Sequence, residues 1–339
     1  MSDELVPLDP EQGVERFLSH KRPSWRESTV YNAETRTRVF LDWCEEAEIE
    51  NLNELSGRDL DAWVRWRQKQ IKPISLQKQL STIREALRYW EKIEAVEDGL
   101  AEKLHAPELP DGAEAKDEHI TTERAEAILE NLDRYWFGSR RHVVFALLWR
   151  TGMRRGALRA IDVDDLDEEE HAIELRHRPE TDTQLKNGER GERDVYLGPR
   201  WFGIVEGYLN NPERPDVTDD HGRQPLITTV HGRASENTLY TTVHKATQPC
   251  HYGDCPHDRD PDDCEAIGAA NVPSKCPSSV SPHSIRRGRI THDLNHGRPP
   301  EAITKRADVS LGVLEKHYDA RTKREKMDVR KQFFEEGSS

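Results

Sequence analysis

No run in this sequence approaches the roughly 20 consecutive apolar residues that a membrane-spanning helix needs. Nor do residues Met1 to Pro10 form the basic-then-apolar start of a secretory leader. Both absences point to a soluble protein of the cytoplasm. No internal repeat and no long low-complexity tract appears. Apolar residues are few, 34% of the chain against 34% charged. They fall in periodic blocks, so folded domains are expected rather than wholesale disorder. At 339 residues the chain is long enough for about two of them. Cysteine is scarce too. Cys44 stands alone, whereas Cys250, Cys255, Cys264 and Cys276 crowd into 27 residues. In a chain without a leader such a cluster reads as metal binding before disulfides.

Lysine is scarce beside arginine, 15 against 35, and the net charge is −14. That sum argues against a general polyanion binder, yet it conceals basic islands. Arg58 to Lys92 holds nine basic residues against four acidic, and Ser281 to Phe334 thirteen against seven. Seven carboxylates crowd Asp162 to Glu170. An acid-rich, lysine-poor surface suits a high-salt cytoplasm, where screening leaves only short-range charge contacts effective, so a halophile is expected.

Leu76, Leu80, Ile83, Leu87, Trp90 and Ile93 recur every three or four residues, one stripe of a helix that Ser75 is placed to cap. Phe40, Trp43 and Ala47 mark an earlier helix, and Leu60, Trp63 and Val64 another. These tryptophans read as core. The basic residues among them, Arg65, Arg67, Lys69, Lys72, Lys78, Arg84 and Arg88, face either a phosphate backbone or plain solvent. Residues 106–118, with Pro107, Pro110 and Gly112, read as a linker between a helical domain at 1–105 and a second domain at 119–335. In the second domain Thr121 is placed to cap a helix. His142 to Trp149 is apolar on nearly all sides and should be buried, and Thr151-Gly152 ends it. Short β-like runs follow at 172–176, 192–197 and 226–230, the first two joined by a polar turn containing Lys186, Asn187 and Gly188. From Ser284 the chain reads as helical. The fold class is thus mainly α with a small antiparallel β element.

Three separated pieces carry chemistry: Thr151-Gly152-Met153-Arg154, Pro282-His283-Ser284-Ile285-Arg286 and Lys316-His317-Tyr318-Asp319. Each alone is weak. In this order they resemble the tyrosine recombinases, the phage integrases and Xer-type chromosome-resolving enzymes. In that family a TG-hydrophobic-R box supplies one arginine and an HxxR box a histidine and a second arginine. The nucleophilic tyrosine follows about thirty residues later, and Arg286 to Tyr318 is 32. Glu192-Arg193-Asp194-Val195-Tyr196-Leu197 resembles the family's strand after its β-hairpin, and Ile290 to Leu294 with Gly297 its helix after HxxR. The acidic integrases of haloarchaea are similar in the HYD-R tail and the cysteine-rich insertion.

The resemblance implies an N-terminal helical core-binding (SAM-like) domain and an α+β catalytic domain that clamp double-stranded DNA. It implies a homotetramer on two DNA sites, a 3′-phosphotyrosine intermediate and no cofactor for catalysis. Physical chemistry agrees with the roles. Moving a phosphoryl group without a metal needs fixed cations on its non-bridging oxygens, and Arg154 and Arg286 are always charged and present planar forks. Tyr318 forms a reversible covalent link. A phenol is mostly protonated at neutral pH, and His283 suits its proton. The resemblance places a lysine on the hairpin turn as donor to the leaving 5′ oxygen. Lys186 is the only lysine between Lys116 and Lys245, within one or two residues of that register.

Two places depart from the family pattern. Ala157 stands where an acid usually braces the site, and Val309 where a histidine or tryptophan bonds the phosphate. His317 and His292 are alternative donors. The cysteine insertion, 250–276, suits a structural Zn²⁺ on four thiolates, with His257 able to replace one. Arg321 to Phe334 reads as a terminal helix, docked or solvated. Competing readings are a catalytically impaired DNA-binding regulator of the same fold, a type IB topoisomerase-like enzyme, and a metal-dependent nuclease built on the Cys/His cluster.

Overall fold

Apolar stripes at helical spacing give the first part of the chain its helices, and a computed structural model of the protein shows how they pack. It describes residues 5–107, 119–260, 262–268 and 271–335. Two compact units are present, Met1–Lys116 and Asp117–Ser339. Apart from Ala106 and Pro107, the expected linker lies outside the described residues.

The first unit contains α1 (Pro10–Lys21), α2 (Glu27–Glu46), α3 (Gly57–Gln68), α4 (Pro73–Lys92) and the single turn α5 (Leu100–Lys103). On α4 the expected stripe is the core: Leu76, Leu80, Ile83, Leu87 and Trp90 are each fully buried. Ile93 lies one residue past the helix end. The expected Ser75 cap is corrected. The helix starts two residues earlier at Pro73, whose fixed φ and missing N–H suit a first helical position, and Lys72 is the N-cap without a side-chain bond. The tryptophans are core, as expected. Phe40 meets Trp63 edge-on at 5.5 Å between ring centroids, and the Trp90 indole donates to the Gly13 carbonyl at 2.8 Å.

The second unit is built around α7 (Arg140–Thr151), buried from His142 to Trp149. An apolar surface on all sides requires neighbours on all sides. They are α6 (Thr122–Tyr135), α9 (Pro199–Leu209), α10 (Glu236–Ala246) and α11 (Pro282–Asn295). Thr121 caps α6, its side chain accepting from the Arg124 N–H. The short α8 (Arg155–Ala160) leads into an antiparallel sheet in the order β1 (Leu166–Asp167), β2 (Ala172–Leu175), β3 (Arg193–Tyr196). Ala172 pairs with Tyr196 and Leu175 with Arg193, so Ile173 and Val195 turn together into the core. The run at 226–230 forms only β4 (Thr228–Thr229), paired with β5 (Gly232–Arg233). The chain continues through α12 (Pro300–Ala307), α13 (Leu311–Val313), a π-helical turn Leu314–Tyr318 and α14 (Lys323–Glu335). Among the described residues no helix is long and apolar enough to cross a membrane.

The acidic run is not all surface. Asp162 and Asp165 are 3% and 2% exposed. Asp162 meets Arg233 at 2.5 Å and Arg223 at 3.0 Å, Asp165 meets Arg178 at 2.5 Å, and Asp219 meets Arg233 at 2.7 Å. Burial raises the Asp219 pKa, but hydrogen bonds from Arg233 and from the Arg223 and His221 backbone outweigh it and hold the carboxyl at about 2. The network fastens the α8 exit to the β4–β5 segment. Removing one member leaves buried carboxylates uncompensated, which typically costs about 3–5 kcal/mol. Arg233→Ala is therefore expected to lower unfolding free energy by about 3 kcal/mol or more in urea titrations at neutral pH. The exposed Arg200→Ala, which breaks a solvent-facing pair with Asp133, should change it by about 1 kcal/mol or less.

Candidate active site

Arg154 and His283 stand where helices begin, and Tyr318 where a helical turn ends. Gly152 closes α7 in the left-handed conformation, φ 65°, its N–H donating to the Leu148 carbonyl at 3.0 Å. Thr151 donates to the Leu147 carbonyl at 2.7 Å and accepts from the Met153 N–H at 3.1 Å. This stop lets Met153 stay buried while Arg154, extended at φ −72° and ψ 149°, emerges as the N-cap of α8.

Ser281 caps α11 by accepting from the Ser284 N–H, and Pro282 occupies the first turn. His283 and Arg286, three apart, share one face. Gly288 permits the helix to lie against the segment before α6, because a Cβ there would come within 2.2 Å of the Ile120 carbonyl oxygen. Arg286 is 2% exposed. Its Nη1 donates to the Gly152 and Ala307 carbonyls at 2.7 and 2.5 Å, and its Nη2 to the Asp308 carbonyl at 3.4 Å. Its Nε is buried without a hydrogen-bond partner. Burial pushes the Arg286 pKa down and nearby Arg154 adds to this, while Tyr318 and Asp308 oppose it.

Tyr318 closes the π-helical turn and is 6% exposed. The turn is pinned to α11: Thr291 Oγ1 donates to the Tyr318 carbonyl at 3.0 Å, and Arg321 to that of Leu294 at 3.2 Å. The Arg286 guanidinium carbon lies 4.9 Å from the Tyr318 ring centroid, and the His283 ring centroid 5.3 Å from it. His283 is exposed. Desolvation, then Arg286, Arg287, Arg154 and His317, holds its pKa below the ordinary histidine value. His283 is thus neutral at neutral pH and able to accept a proton.

Arg154 Nη1 meets Asp308 Oδ2 at 2.5 Å. The electrostatic coupling of Arg154 to Arg286 and His283 places it with them. Lys186 is exposed on the loop between β2 and β3, next to Asn187, whose Nδ2 donates to Asp308 Oδ1 at 2.7 Å. Glu192 and Arg193 anchor this loop, Glu192 accepting from the His177 N–H at 2.7 Å and Arg193 donating to the Arg306 carbonyl at 2.9 Å. Asp308 and Asn187 are site residues that no motif indicated. The only hint was an acid beside Val309 in a basic segment.

Ala157 is buried on α8. Val309 is 7% exposed and joins Ile290, Leu294, Ile303, Ala307 and Leu314 in the apolar cluster that seats Tyr318. His292 is a packing residue: its Nδ1 lies 3.0 Å from Thr122 Oγ1 and its ring 5.6 Å from that of Trp149. His317 is half-buried and acts on His283 electrostatically.

No protein-family model matches the sequence, and a search of curated proteins returns no match. Solved structures do match. The Tn1549 transposon integrase in complex with transposon right end DNA aligns over 96% of this chain and 99% of its own, with TM-score 0.68 and 14% identity. A lambda integrase dimer bound to a COC′ core site aligns over 97% of this chain and 78% of its own, with TM-score 0.61 and 11% identity. The fold is that of the tyrosine recombinases. The N-terminal domain of a phage integrase/site-specific recombinase from Haloarcula marismortui aligns with 30% of this chain and 99% of its own at 28% identity, but its TM-score of 0.29 adds no weight.

Within this recombinase fold the expected DNA-facing residues lie on α3 and α4 or just past them. Lys69, Lys72 and Lys78 are exposed. Arg65 pairs with Asp61 and Arg88 with Glu102. Arg67 donates to Gln79 at 2.8 Å and Arg84 to the Leu104 carbonyl at 2.6 Å, so both also hold the first unit together.

Cys250, Cys255, Cys264, Cys276 and His257 line one cavity of about 40 Å³. Burial raises the Cys250 pKa, and the Cys276, Cys255 and Cys264 thiols raise it further. His257 Nε2 is buried without a hydrogen-bond partner. Among the described residues no group of three such donors is drawn in to coordinating geometry. Arg124 on α6 ties the base of the insertion down, donating to the Tyr252 hydroxyl at 2.9 Å and the Thr247 carbonyl at 2.8 Å. Cys44 is separate and buried in the first unit, its pKa pushed up to about 12 by desolvation and then by Asp9.

The α11 helix also carries a pH dependence. Desolvation, then Arg289 and His296, lowers the His292 pKa to about 4. An unfolded histidine titrates near 6.5. Below that value the unfolded chain binds the proton first, so stability present above about 6.5 is lost as pH falls toward about 4. Urea midpoints should therefore decline between pH 7 and pH 5 in the wild-type protein, and decline less in His292→Gln.

Proposed function

We propose that this protein is a site-specific DNA recombinase that cuts and rejoins duplex DNA through a 3′-phosphotyrosine intermediate. The observation that carries this reading is the buried Arg286 guanidinium, with an unpartnered Nε, held against Tyr318 and one helical turn from His283. A cation kept out of water in this way suits an incoming anion. Tyr318 supplies an oxygen nucleophile beside it. The DNA complexes of structures sharing the fold support double-stranded DNA as the substrate.

The steps follow from the side chains. Arg154 and Arg286 hold the non-bridging oxygens of a phosphodiester and stabilise charge that grows on them. His283, neutral at neutral pH, takes the proton of Tyr318 as its oxygen attacks phosphorus. The new bond joins Tyr318 to the 3′ phosphate, the bond to the 5′ oxygen breaks, and Lys186 donates a proton to that oxygen. Attack by a 5′-hydroxyl of a partner strand reverses these transfers and joins the strands. Two subunits on each of two sites, a homotetramer, is the assembly this chemistry requires for exchange between duplexes.

The test is covalent trapping. With nicked duplexes from the flanks of its own gene and a chelator present, the wild-type protein should give an SDS-resistant protein–DNA band that Tyr318→Phe lacks. Cleavage without a covalent band, retained in Tyr318→Phe and stopped by chelator, would support the metal-dependent nuclease instead. One observation favours a second reading, a DNA-binding regulator that no longer cuts: Val309 sits in an apolar cluster and has no hydrogen to donate to phosphate. Retained DNA binding with no band on any flank would favour it. Sealing of single-strand nicks without exchange would favour the topoisomerase-like alternative.

The proposal includes a structural Zn²⁺ in the insertion. Four thiols and an orphaned imidazole around one small cavity form a donor set that zinc prefers, and the Pro- and Asp-rich loop has little else to order it. Zinc would tie the loop together ahead of α11 and take no part in the phosphoryl steps. Elemental analysis should find about one zinc per chain, lost in Cys264→Ser, and chelation should lower the melting temperature. Metal-free protein with an unchanged melting temperature would remove zinc from the proposal.

A further inference from the structure

Asp308 occupies an unusual place. It ends α12 in the left-handed conformation, φ 55° and ψ 66°, a region that few residues other than glycine, asparagine and aspartate adopt readily. That turn brings both its carboxylate and its carbonyl to the active site. Oδ2 meets Arg154 Nη1 at 2.5 Å, Oδ1 accepts from Asn187 Nδ2 at 2.7 Å, and the carbonyl accepts from Arg286 Nη2 at 3.4 Å. The carboxylate is 14% exposed, and the backbone of the Lys186 loop closes on it, a Cβ at Gly191 lying 3.4 Å from Oδ2.

We infer that Asp308 is the positioning residue of the site, joining Arg154, Arg286 and the Lys186 loop into one unit. This rests on the recombinase reading above. These three groups come from the α7–α8 junction, α11 and the β2–β3 loop, and no single element holds all of them. An arginine on a flexible stem at a helix start has many orientations open to it. A charge-assisted bond to one terminal nitrogen restricts them and leaves the rest of the fork to a phosphate. Through Asn187 the same carboxylate fixes the residue next to Lys186. Asp308 touches neither nucleophile nor leaving group in this arrangement. Its negative charge opposes DNA binding, so any gain it brings must come from orientation.

The argument predicts a split between rate and affinity. Asp308→Ala should lower the single-turnover rate of covalent complex formation on nicked DNA by about 10–100-fold, because a misplacement of about 1 Å in a reacting group can cost about 10²-fold. The dissociation constant for DNA should stay the same or fall. Asp308→Asn, which keeps an acceptor and tolerates the left-handed turn, should recover part of the rate. Asn187→Ala should slow the wild-type protein but add little to Asp308→Ala, because both cut the same connection. Wild-type rates in Asp308→Ala, or additive losses in the double variant, would overturn the inference. If Asp308→Ala fails to fold, Asp308→Asn and Asn187→Ala carry the test, and an unchanged rate in both overturns it. If the wild-type protein forms no covalent complex at all, the recombinase reading falls and takes this inference with it.

Discussion

A guanidinium removed from water is the constraint around which the second unit is arranged. Transferring a charge into a protein interior carries a penalty of several kcal/mol unless partners replace its hydration. Arg286 receives its partners from the backbone: the carbonyls of Gly152, Ala307 and Asp308. Two of those carbonyls exist only because helices stop there. Gly152 ends α7 and Asp308 ends α12, both at positive φ. The helix ends expose acceptors that an uninterrupted helix would have used internally. The same stops release Arg154 at the start of α8 and turn the Asp308 side chain toward it. One buried charge thus dictates where three helices begin and end. Its Nε has no hydrogen-bond partner among the described residues, which leaves that donor for an incoming group.

Tyr318, the proposed nucleophile, depends on the same helix. Tyr318 is held by Thr291 and Arg321 against α11, and α11 is held against α6 and α7 by the absence of a side chain at Gly288 and by His292 on Thr122 and Trp149. A displacement of α11 would therefore move Arg286, His283 and Tyr318 together and preserve their mutual distances. Arg154 and the Lys186 loop stand on other elements and would be left behind. The mechanical weak point is the seam between these two groups, and Asp308 bridges it.

Much of this was legible in the sequence for definite reasons. The stripe on α4 and the wholly apolar α7 are periodic, and periodicity reports burial directly. Thr151-Gly152 and Pro282-His283 are local stop and start signals, so the positions of Arg154, His283 and Arg286 could be read before their meeting could. The role of Asp308 could not be read, because it depends on a left-handed turn at the end of α12 and on a loop 121 residues away in sequence. The acidic run misled for a related reason. Composition marks Asp162 and Asp165 as surface charge, whereas arginines from residues 178, 223 and 233 draw them inside. Two-residue strands such as β1 are too short to leave an alternating pattern.

Val309 shows how a departure from a family pattern can have a packing explanation. A polar ring at that position would have to sit among Ile290, Ile303, Leu314 and Tyr318, where its second polar atom needs a partner. Valine avoids that desolvation cost and tightens the seat of the tyrosine turn, at the loss of one donor to phosphate. Lost donors of this kind elsewhere cost about 3–4 kcal/mol of transition-state stabilisation. On the proposed reading, a site with two arginines, a histidine and a fixed carboxylate lacks part of its electrostatic stabilisation, but none of the groups assigned to making or breaking the bond. On this ground slow strand transfer is a better match to the geometry than none.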